Sequence, residues 1–508
     1  MKRDKAEVYM VLAVSLGASL LSFCFSKNYI DGDAITRTVM AIKWLEHPFY
    51  ISAANKVSWV FGPLHCYLNA FGLFIWNNPL YSPRLVSLIF SCAAVVPFYF
   101  LVKQFFPNKG ALLASLSFSL FSLRLQTSAI AVSEGINIFF VLSAIYYFFR
   151  FKWDRKLKYI FICAFFINLA CMMRYDSWLL IPLLGILLVL RGNLRQGFAG
   201  FEFTTSNMKT FLLLLIFSSL FPLSWMVGNY LKNCDALYFL HVAEALNTEQ
   251  FNLNVMNRGY LGNLAYNLIF QPAVWSLSAS PFIFVLSIIG LIGCFFKNKG
   301  QGLYLILLAF ILLFLYQFVF SGKISPLARY TIIQGTLFLT FSSFGFALLS
   351  ERLDRFPPHL LAGGFLLSIL ASLYLITFLG KPETQGFRQK LYSVSPLTQH
   401  PKYITEIIDF LKEKDDFLLD SRYFMDRLLV LYLYPKRDGV YSEWSSSAEL
   451  ISFIKLHKPS YVVYSDRNPY LRNEFRFLLV GENLVIDSCT YKTVFERKEY
   501  RISELVRP

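Results

Sequence analysis

VYMVLAVSLGASLLSFCFSKNYIDGD, residues 8–33, is the stretch whose reading decides the fold. Its first about 18 residues, Val8–Phe25, carry no charge and rise about 27 Å as a helix, close to the thickness of a hydrocarbon core. Met1-Lys2-Arg3-Asp4-Lys5 precedes it in the manner of a signal peptide. However, no small-residue cleavage site follows and the apolar run is long for one, so it reads as an uncleaved first transmembrane helix. Asp31 and Asp33 come directly after the run. Two carboxylates at the mouth of an apolar segment are costly to keep near lipid. They read as a base, a metal ligand or a binder of sugar hydroxyls.

The rest of the chain agrees with a polytopic, α-helical membrane protein. Of 508 residues 56% are hydrophobic and 16% charged, against roughly 25% charged in soluble chains. Apolar runs recur about eleven times, from Val8–Phe25 through Ala111–Leu123, Tyr159–Met173, Phe211–Val227 and Ala273–Phe296 to Leu360–Leu379. The net charge of +16 sits largely in short loops, where it sets topology; no nucleic-acid partner is expected. Six basic clusters fall on one side when each run crosses once: Lys2/Arg3/Lys5, Lys103/Lys109, Arg150 to Lys158, Arg191/Arg195/Lys209, Lys297/Lys299 and Arg352/Arg355. The N-terminus is then cytoplasmic and the C-terminus external. The eight Cys form no CxxC pair and read as small buried hydrophobes.

Three long segments lie on the external side: a first loop (27–84), a second from about Leu231 to Gln271, and everything after Leu379. The first loop holds Ile35, Val39, Ile42 and Leu45 at the spacing of one helical face, then an aromatic-rich stretch Leu64–Trp76. Both are expected as helices along the membrane interface. Lys381–Leu397 reads as a linker. Residues 398–508 alternate helix-like and strand-like segments and are expected to form a small external α/β domain beside a membrane domain of residues 1–380.

This topology sorts the polar residues by side. Asp31, Asp33, Arg84, Glu134, Arg174, Asp176, Lys323 and Arg329 all fall at external ends of spans. Each has a plain structural reading beside the functional one. Asp33 is placed to cap the helix from Ala34, Arg174 and Asp176 to pair, Arg329 to snorkel, Glu134 to cap its span, and His65 to pack. Taken together they suit one reaction: a carboxylate takes the proton of an acceptor hydroxyl or amine attacking a sugar's anomeric carbon, and Arg or Lys stabilises the leaving phosphate. A lipid-linked donor explains a site at membrane depth.

The pattern resembles the GT-C superfamily of glycosyltransferases, in the branch of protein O-mannosyltransferases and lipid A aminoarabinose transferases. The resemblance rests on Asp31-Gly32-Asp33 after the first span, with Arg37 and Trp44 on the next helix, then Trp59 and Gly62-Pro63-Leu64-His65. It continues with Ser82-Pro83-Arg84-Leu85, Ser133-Glu134, Arg174-Tyr175-Asp176 and Ala328-Arg329-Tyr330. It implies inverting transfer from a polyprenyl-phosphate sugar to a protein, lipid or glycan acceptor, with a first-loop acid as base. Many relatives have Asp-Glu where this chain has Asp-Gly-Asp. The departure leaves open which Asp is the base, with Asp33 favoured, and whether Asp31 and Asp33 hold a divalent metal such as Mg or Mn. Arg174, Arg329, Lys323 and Arg84 are expected at the donor phosphate; Glu134, Asp176, His65 and Tyr330 at the substrate.

The main rival is a transporter or flippase of a lipid-linked sugar, which predicts charges near mid-membrane, broken helices and paired halves. An O-antigen-type polymerase or ligase would favour a large late loop instead. A scaffold would not explain the one-sided charges. The absence of Asn-x-Ser/Thr sequons leans towards a bacterial inner membrane.

Overall fold

The computed structural model describes residues 2–25, 29–30, 32–46, 62–106, 108–193, 197–201, 205–297, 302–323, 327–352, 363, 367, 398–399, 402–419, 429, 431–433, 440–441, 447–465, 479–480, 483–486, 489–497 and 500–507. Asp31, Trp59, the linker before Leu397 and nearly all of the expected span Leu360–Leu379 lie outside them. The chain divides into two compact units. One comprises Met1–Lys27, Trp59–His65 and Arg84–Pro396; the other comprises Asn28–Ser58, Cys66–Pro83 and Leu397–Pro508.

In chain order the elements begin with α1 (Lys2–Phe25), β1 (Tyr29–Ile30), α2 (Gly32–Glu46), α3 (Pro63–Ile75), α4 (Ser82–Ala93), α5 (Val95–Phe105), α6 (Asn108–Ser119), α7 (Ser122–Ala129), α8 (Ser133–Asp154) and α9 (Lys158–Met173). After a 3-10 turn (Tyr175–Leu179) come α10 (Leu180–Val189), the hairpin β2 (Leu190–Asn193) and β3 (Gly197–Phe201), α11 (Thr205–Ser218), α12 (Leu220–Asn233), α13 (Tyr238–Arg258), α14 (Tyr260–Ala279), α15 (Pro281–Lys297) and α16 (Gly302–Phe320). A second 3-10 turn (Ala328–Thr331) leads into α17 (Ile332–Leu339) and α18 (Ser342–Arg352).

Among the described residues five helical stretches are long and apolar enough to cross a membrane: Asp4–Cys24, Ser82–Phe105, Ser133–Asp154, Gly302–Phe320 and Ala328–Leu349. Two bent pairs raise the number to seven: Asn207–Ser218 with Leu220–Asn233 at 44°, and Tyr260–Ala279 with Pro281–Phe296 at 116°. The chain is an integral membrane protein. The run expected as one straight span, Ala273–Phe296, is therefore broken at Ser280, whose φ is 81°. Where α15 and α18 cross, a Cβ on Gly290 would collide with the Phe341 carbonyl, and one on Gly345 with the Leu286 carbonyl. Glycine lets these backbones touch, the usual way of gaining packing energy between helices in lipid.

The run Ala111–Leu123 is likewise broken, at residues 120–121 between α6 and α7. A helix that ends inside a membrane protein leaves carbonyls without partners. Arg124, fully buried, supplies them. Its Nε donates to Phe118 O (3.1 Å), Nη2 to Ser119 O (2.5 Å), and Nη1 to Ser91 O (3.0 Å) and Oγ (3.2 Å). A cation at a helix C-terminus is also favoured by the dipole. We expect Arg124→Leu to lower the unfolding free energy in detergent by about 3–5 kcal/mol, because the carbonyls stay buried without donors. Arg124→Lys should rescue little, since an ammonium lacks the planar fork that reaches all these acceptors. Unchanged melting of both variants would contradict the role.

In the second unit β4 (Thr398–Gln399) pairs antiparallel with β1, Tyr29 opposite Gln399. After α19 (Lys402–Lys412) the strands are β5 (Phe417–Leu419), β6 (Val440–Tyr441), β7 (Tyr461–Ser465), β8 (Leu479–Val480), β9 (Asn483–Ile486), β10 (Cys489–Arg497) and β11 (Tyr500–Arg507), with α20 (Ser447–His457) between β6 and β7. They form one sheet in the order β6-β5-β7-β11-β10-β9-β8, the first three parallel and the rest antiparallel. The expected small α/β domain is thus present. Alternation along the strands sends Phe417, Leu419 and Val463 to one face, and Leu418, Val462 and Tyr464 to the other.

The first face is covered by Ile404, Ile407, Ile408 and Leu411 of α19, and also by first-loop residues: Ile35, Val39 and Ile42 of α2, Ala70 and Leu73 of α3. The apolar stripe of α2, expected against the membrane interface, is instead packed inside protein. Periodicity shows that a helix has one apolar face, and here the sheet domain supplies its cover. On α3 the aromatic side stays open, with Phe71, Phe74 and Ile75 exposed and Trp76 exposed just past its end, as an interfacial helix requires.

Candidate active site

Two cations of the first unit, Arg174 and Arg329, gather around the buried Glu134. Ala131 holds φ 58° in the turn before α8, a left-handed conformation uncommon for a residue with a Cβ. That turn leaves Ser133 and Glu134 as the first two residues of α8, with Glu134 only 3% exposed. Arg174 caps the C-terminal end of α9 in extended conformation, its N–H donating to Ala170 O (2.9 Å). Gly62 presses so closely on the Met172 and Met173 carbonyls that a Cβ there has no room. The end of α9, and with it Arg174, is held from that side.

The Arg174 guanidinium is heavily engaged. Nη1 donates to Glu134 Oε1 (2.5 Å) and Ser133 Oγ (3.4 Å); Nε and Nη2 fork onto Asp176 Oδ2 at 3.0 and 2.9 Å. This leaves one of its five N–H groups outside these contacts. Arg329 Nε stands 3.5 Å from the same Glu134 Oε1. Tyr330 lies under both cations, 4.9 Å from Arg174 Cζ and 5.5 Å from Arg329 Cζ to its ring centre. Asn137, one turn along α8 from Glu134, donates to Ser177 Oγ (2.9 Å) and pins the Tyr175–Leu179 turn onto that helix. Behind it Tyr175 and Trp178 pack on Phe239, at 4.3 and 5.1 Å between ring centres.

Two guanidiniums and two carboxylates make this cluster neutral. Glu134, the deeply buried member, fixes both cations; Asp176, with a side chain 34% exposed, is the partner nearest to solvent. Such an arrangement keeps arginines charged and oriented where water is scarce, and an arriving phosphate has only the exposed carboxylate to displace.

Of the residues expected at the site, Glu134, Arg174, Asp176, Arg329 and Tyr330 are brought together. Lys323 is not among them: it is 46% exposed and pairs with Glu244 of α13 at 3.1 Å. His65 on α3 and Arg84 at the start of α4 are both buried. Asp33, half-buried, lies in the first turn of α2, within the second unit. Among the described residues no group of three or more His, Cys, Asp or Glu is arranged to hold a metal ion, and no step is assigned to one. At the start of α13 His241 Nδ1 lies 2.7 Å from Asp235 Oδ2, and the hydrogen bonds from His241 and the Leu237 N–H hold the Asp235 carboxyl below its usual range. Sequence reasoning misses Ser177, Asn137 and the amides of α14. Asn137 lies one turn after Glu134, a spacing that is legible once the start of α8 is known.

Residues 60–225 match the family of dolichyl-phosphate-mannose-protein mannosyltransferases, a stretch containing Glu134, Arg174 and Asp176. Among proteins of curated function, none matches the chain in sequence. In fold the chain is similar to ArnT from Cupriavidus metallidurans: the apo structure aligns with a TM-score of 0.60 at 12% identity, over 99% of this chain and 98% of that one. ArnT bound to undecaprenyl phosphate aligns with a TM-score of 0.58 at 11% identity, over 98% and 97%. Both alignments run over the helical part and the terminal sheet, so the chain shares its fold with ArnT.

Proposed function

We propose that the chain transfers a sugar from a polyprenyl-phosphate-linked donor to a protein, lipid or glycan acceptor, with inversion, at the external face of a bacterial inner membrane. The N-terminus is then cytoplasmic, and the domain of residues 398–508 periplasmic. The observation that carries this reading is the buried Glu134–Arg174–Arg329 cluster at one set of span ends. Membrane-depth charges of this kind bind a charged ligand or one another. Undecaprenyl phosphate, bound by the similarly folded ArnT, is such a ligand.

In the proposed reaction Arg329 takes the donor phosphate. Arg174, occupied by Glu134 and Asp176, keeps Glu134 in place and offers its outer edge when Asp176 yields. The acceptor oxygen or nitrogen attacks the anomeric carbon, and the bond from that carbon to the phosphate oxygen breaks with its electron pair passing to the phosphate. Asp33 takes the acceptor proton. Purified protein in lipid, given undecaprenyl-phosphate sugars and acceptor extracts, should release undecaprenyl phosphate; no release from any donor would count against the reading.

The broken helices, bent by 44° and 116°, also suit a flippase of lipid-linked sugars. Against that, Arg124, the deep charge at the break between α6 and α7, is spent on backbone carbonyls, and its hydrogen bonds among the described residues go to no acid. Proteoliposomes that report translocation separately from transfer distinguish the two readings.

A further inference from the structure

The helix α14 carries Asn263, Asn267 and Gln271 at intervals of four residues, so the three amides stand in line on one face. They are 3%, 2% and 2% exposed. Among the described residues, the side-chain oxygen of each has no hydrogen-bond partner. The opposite side of the same helix shows Leu261, Leu268 and Ile269, exposed by 77%, 56% and 64%. This helix is therefore polar inwards and apolar outwards, the reverse of a helix in a soluble protein. In a membrane protein that order marks a face lining a ligand path, because an amide buried without a partner is penalised and lipid supplies none.

The line of amides leads to the charged cluster. One turn past Gln271, Trp275 Nε1 donates to Thr331 O (3.3 Å), the residue next but one to Arg329. The helix packs against the Ala328–Thr331 turn. What could satisfy the amides follows from their chemistry. A phosphate ester has only acceptors to offer, so it cannot satisfy an amide oxygen; a hydroxyl both donates and accepts, as an amide does. An acyl chain offers neither.

We propose that Asn263, Asn267 and Gln271 form the subsite for the hydroxyl groups of the sugar on the lipid-linked donor, with Gln271 nearest the phosphate end. This rests on the reading of the chain as a user of such donors. No acid or base is required of these residues, and they act by orienting the ring and by selecting it.

The test compares two lipids on the full-length protein in nanodiscs: sugar-free undecaprenyl phosphate and undecaprenyl-phosphate mannose, with undecaprenyl-phosphate aminoarabinose as a second glycosylated probe. Gln271→Leu and Asn267→Leu should each weaken binding of the glycosylated lipid preferred by the wild type about tenfold or more. The affinity for undecaprenyl phosphate should stay within about twofold, since that lipid has no hydroxyls to lose. Asn263→Leu should show the smallest effect. A structural role for the amides would lower the melting temperature and leave the ratio of the two affinities untouched, and that result overturns the proposal. Equal weakening of both lipids overturns it as well. If the wild type binds neither glycosylated lipid more tightly than the bare one, the donor reading itself falls, which is a different failure from unaltered variants of a wild type that does discriminate.

Discussion

Asp33→Asn is expected to abolish sugar transfer, lowering the release of polyprenyl phosphate by roughly 10²–10⁴-fold, while the protein still inserts and still binds donor. The substitution is chosen because Asn keeps the size and polarity of Asp and takes away only the carboxylate that could accept a proton. If Asp33 serves only the start of α2, the variant retains full activity; if it accepts the acceptor's proton, the amide cannot replace it. Asp33 is the second residue of α2, whose apolar stripe is buried in the core of the sheet domain. The helix should therefore stay folded in the variant, with Thr38 Oγ1 donating to Ala34 O (2.8 Å) as before. Asp31→Asn measured in parallel assigns the base between the two. Full activity in both variants removes them from the mechanism.

Arg329→Ala is expected to lower kcat/KM by about 10²–10³-fold, with most of the loss shared by transition-state and donor binding. Arg329 sits in the tight Ala328–Thr331 turn, closed by Thr331 Oγ1 donating to Ala328 O (2.8 Å), so its reach is short and its direction set. Arg329→Lys should recover only part of the rate, because an ammonium cannot present two parallel N–H groups to a phosphate. Arg174→Ala should behave differently. It deprives buried Glu134 of its 2.5 Å partner and leaves that carboxylate to draw on Arg329, so stability and kcat both fall. A loss of donor affinity in Arg174→Ala as large as in Arg329→Ala would place both arginines on the phosphate.

Much of this site is legible in the amino-acid sequence. Glu134, Arg174 and Arg329 each follow or precede an apolar run, and counting runs against basic clusters puts them on one side of the membrane. Lys323 shows where that reasoning stops. It satisfies the same criterion and yet pairs with Glu244 of α13, because a side of the membrane says nothing about position within its plane. The amides of α14 show a second limit. Their spacing of four is present in the sequence, but hydropathy starts the span at Ala273 and leaves the residues before it in a loop. Only the observed helix from Tyr260 makes them one face. Arg124 is hidden for a related reason: nothing local reveals that a helix breaks at residues 120–121, and the arginine has meaning only as the cap of that break.

By itself the sequence determined the membrane class, the existence of an α/β tail and the acids and bases that stand at the ends of apolar runs. Those features depend on composition along the chain, and a bilayer sorts composition along a single axis. Tertiary structure alone decided which of these charges meet. Arg174 and Glu134 are 40 residues apart, and their ion pair exists because α8 and α9 pack side by side. It also decided that the stripe of α2 is covered by the sheet domain, because an apolar face specifies that it must be buried and leaves its partner to the packing of distant segments.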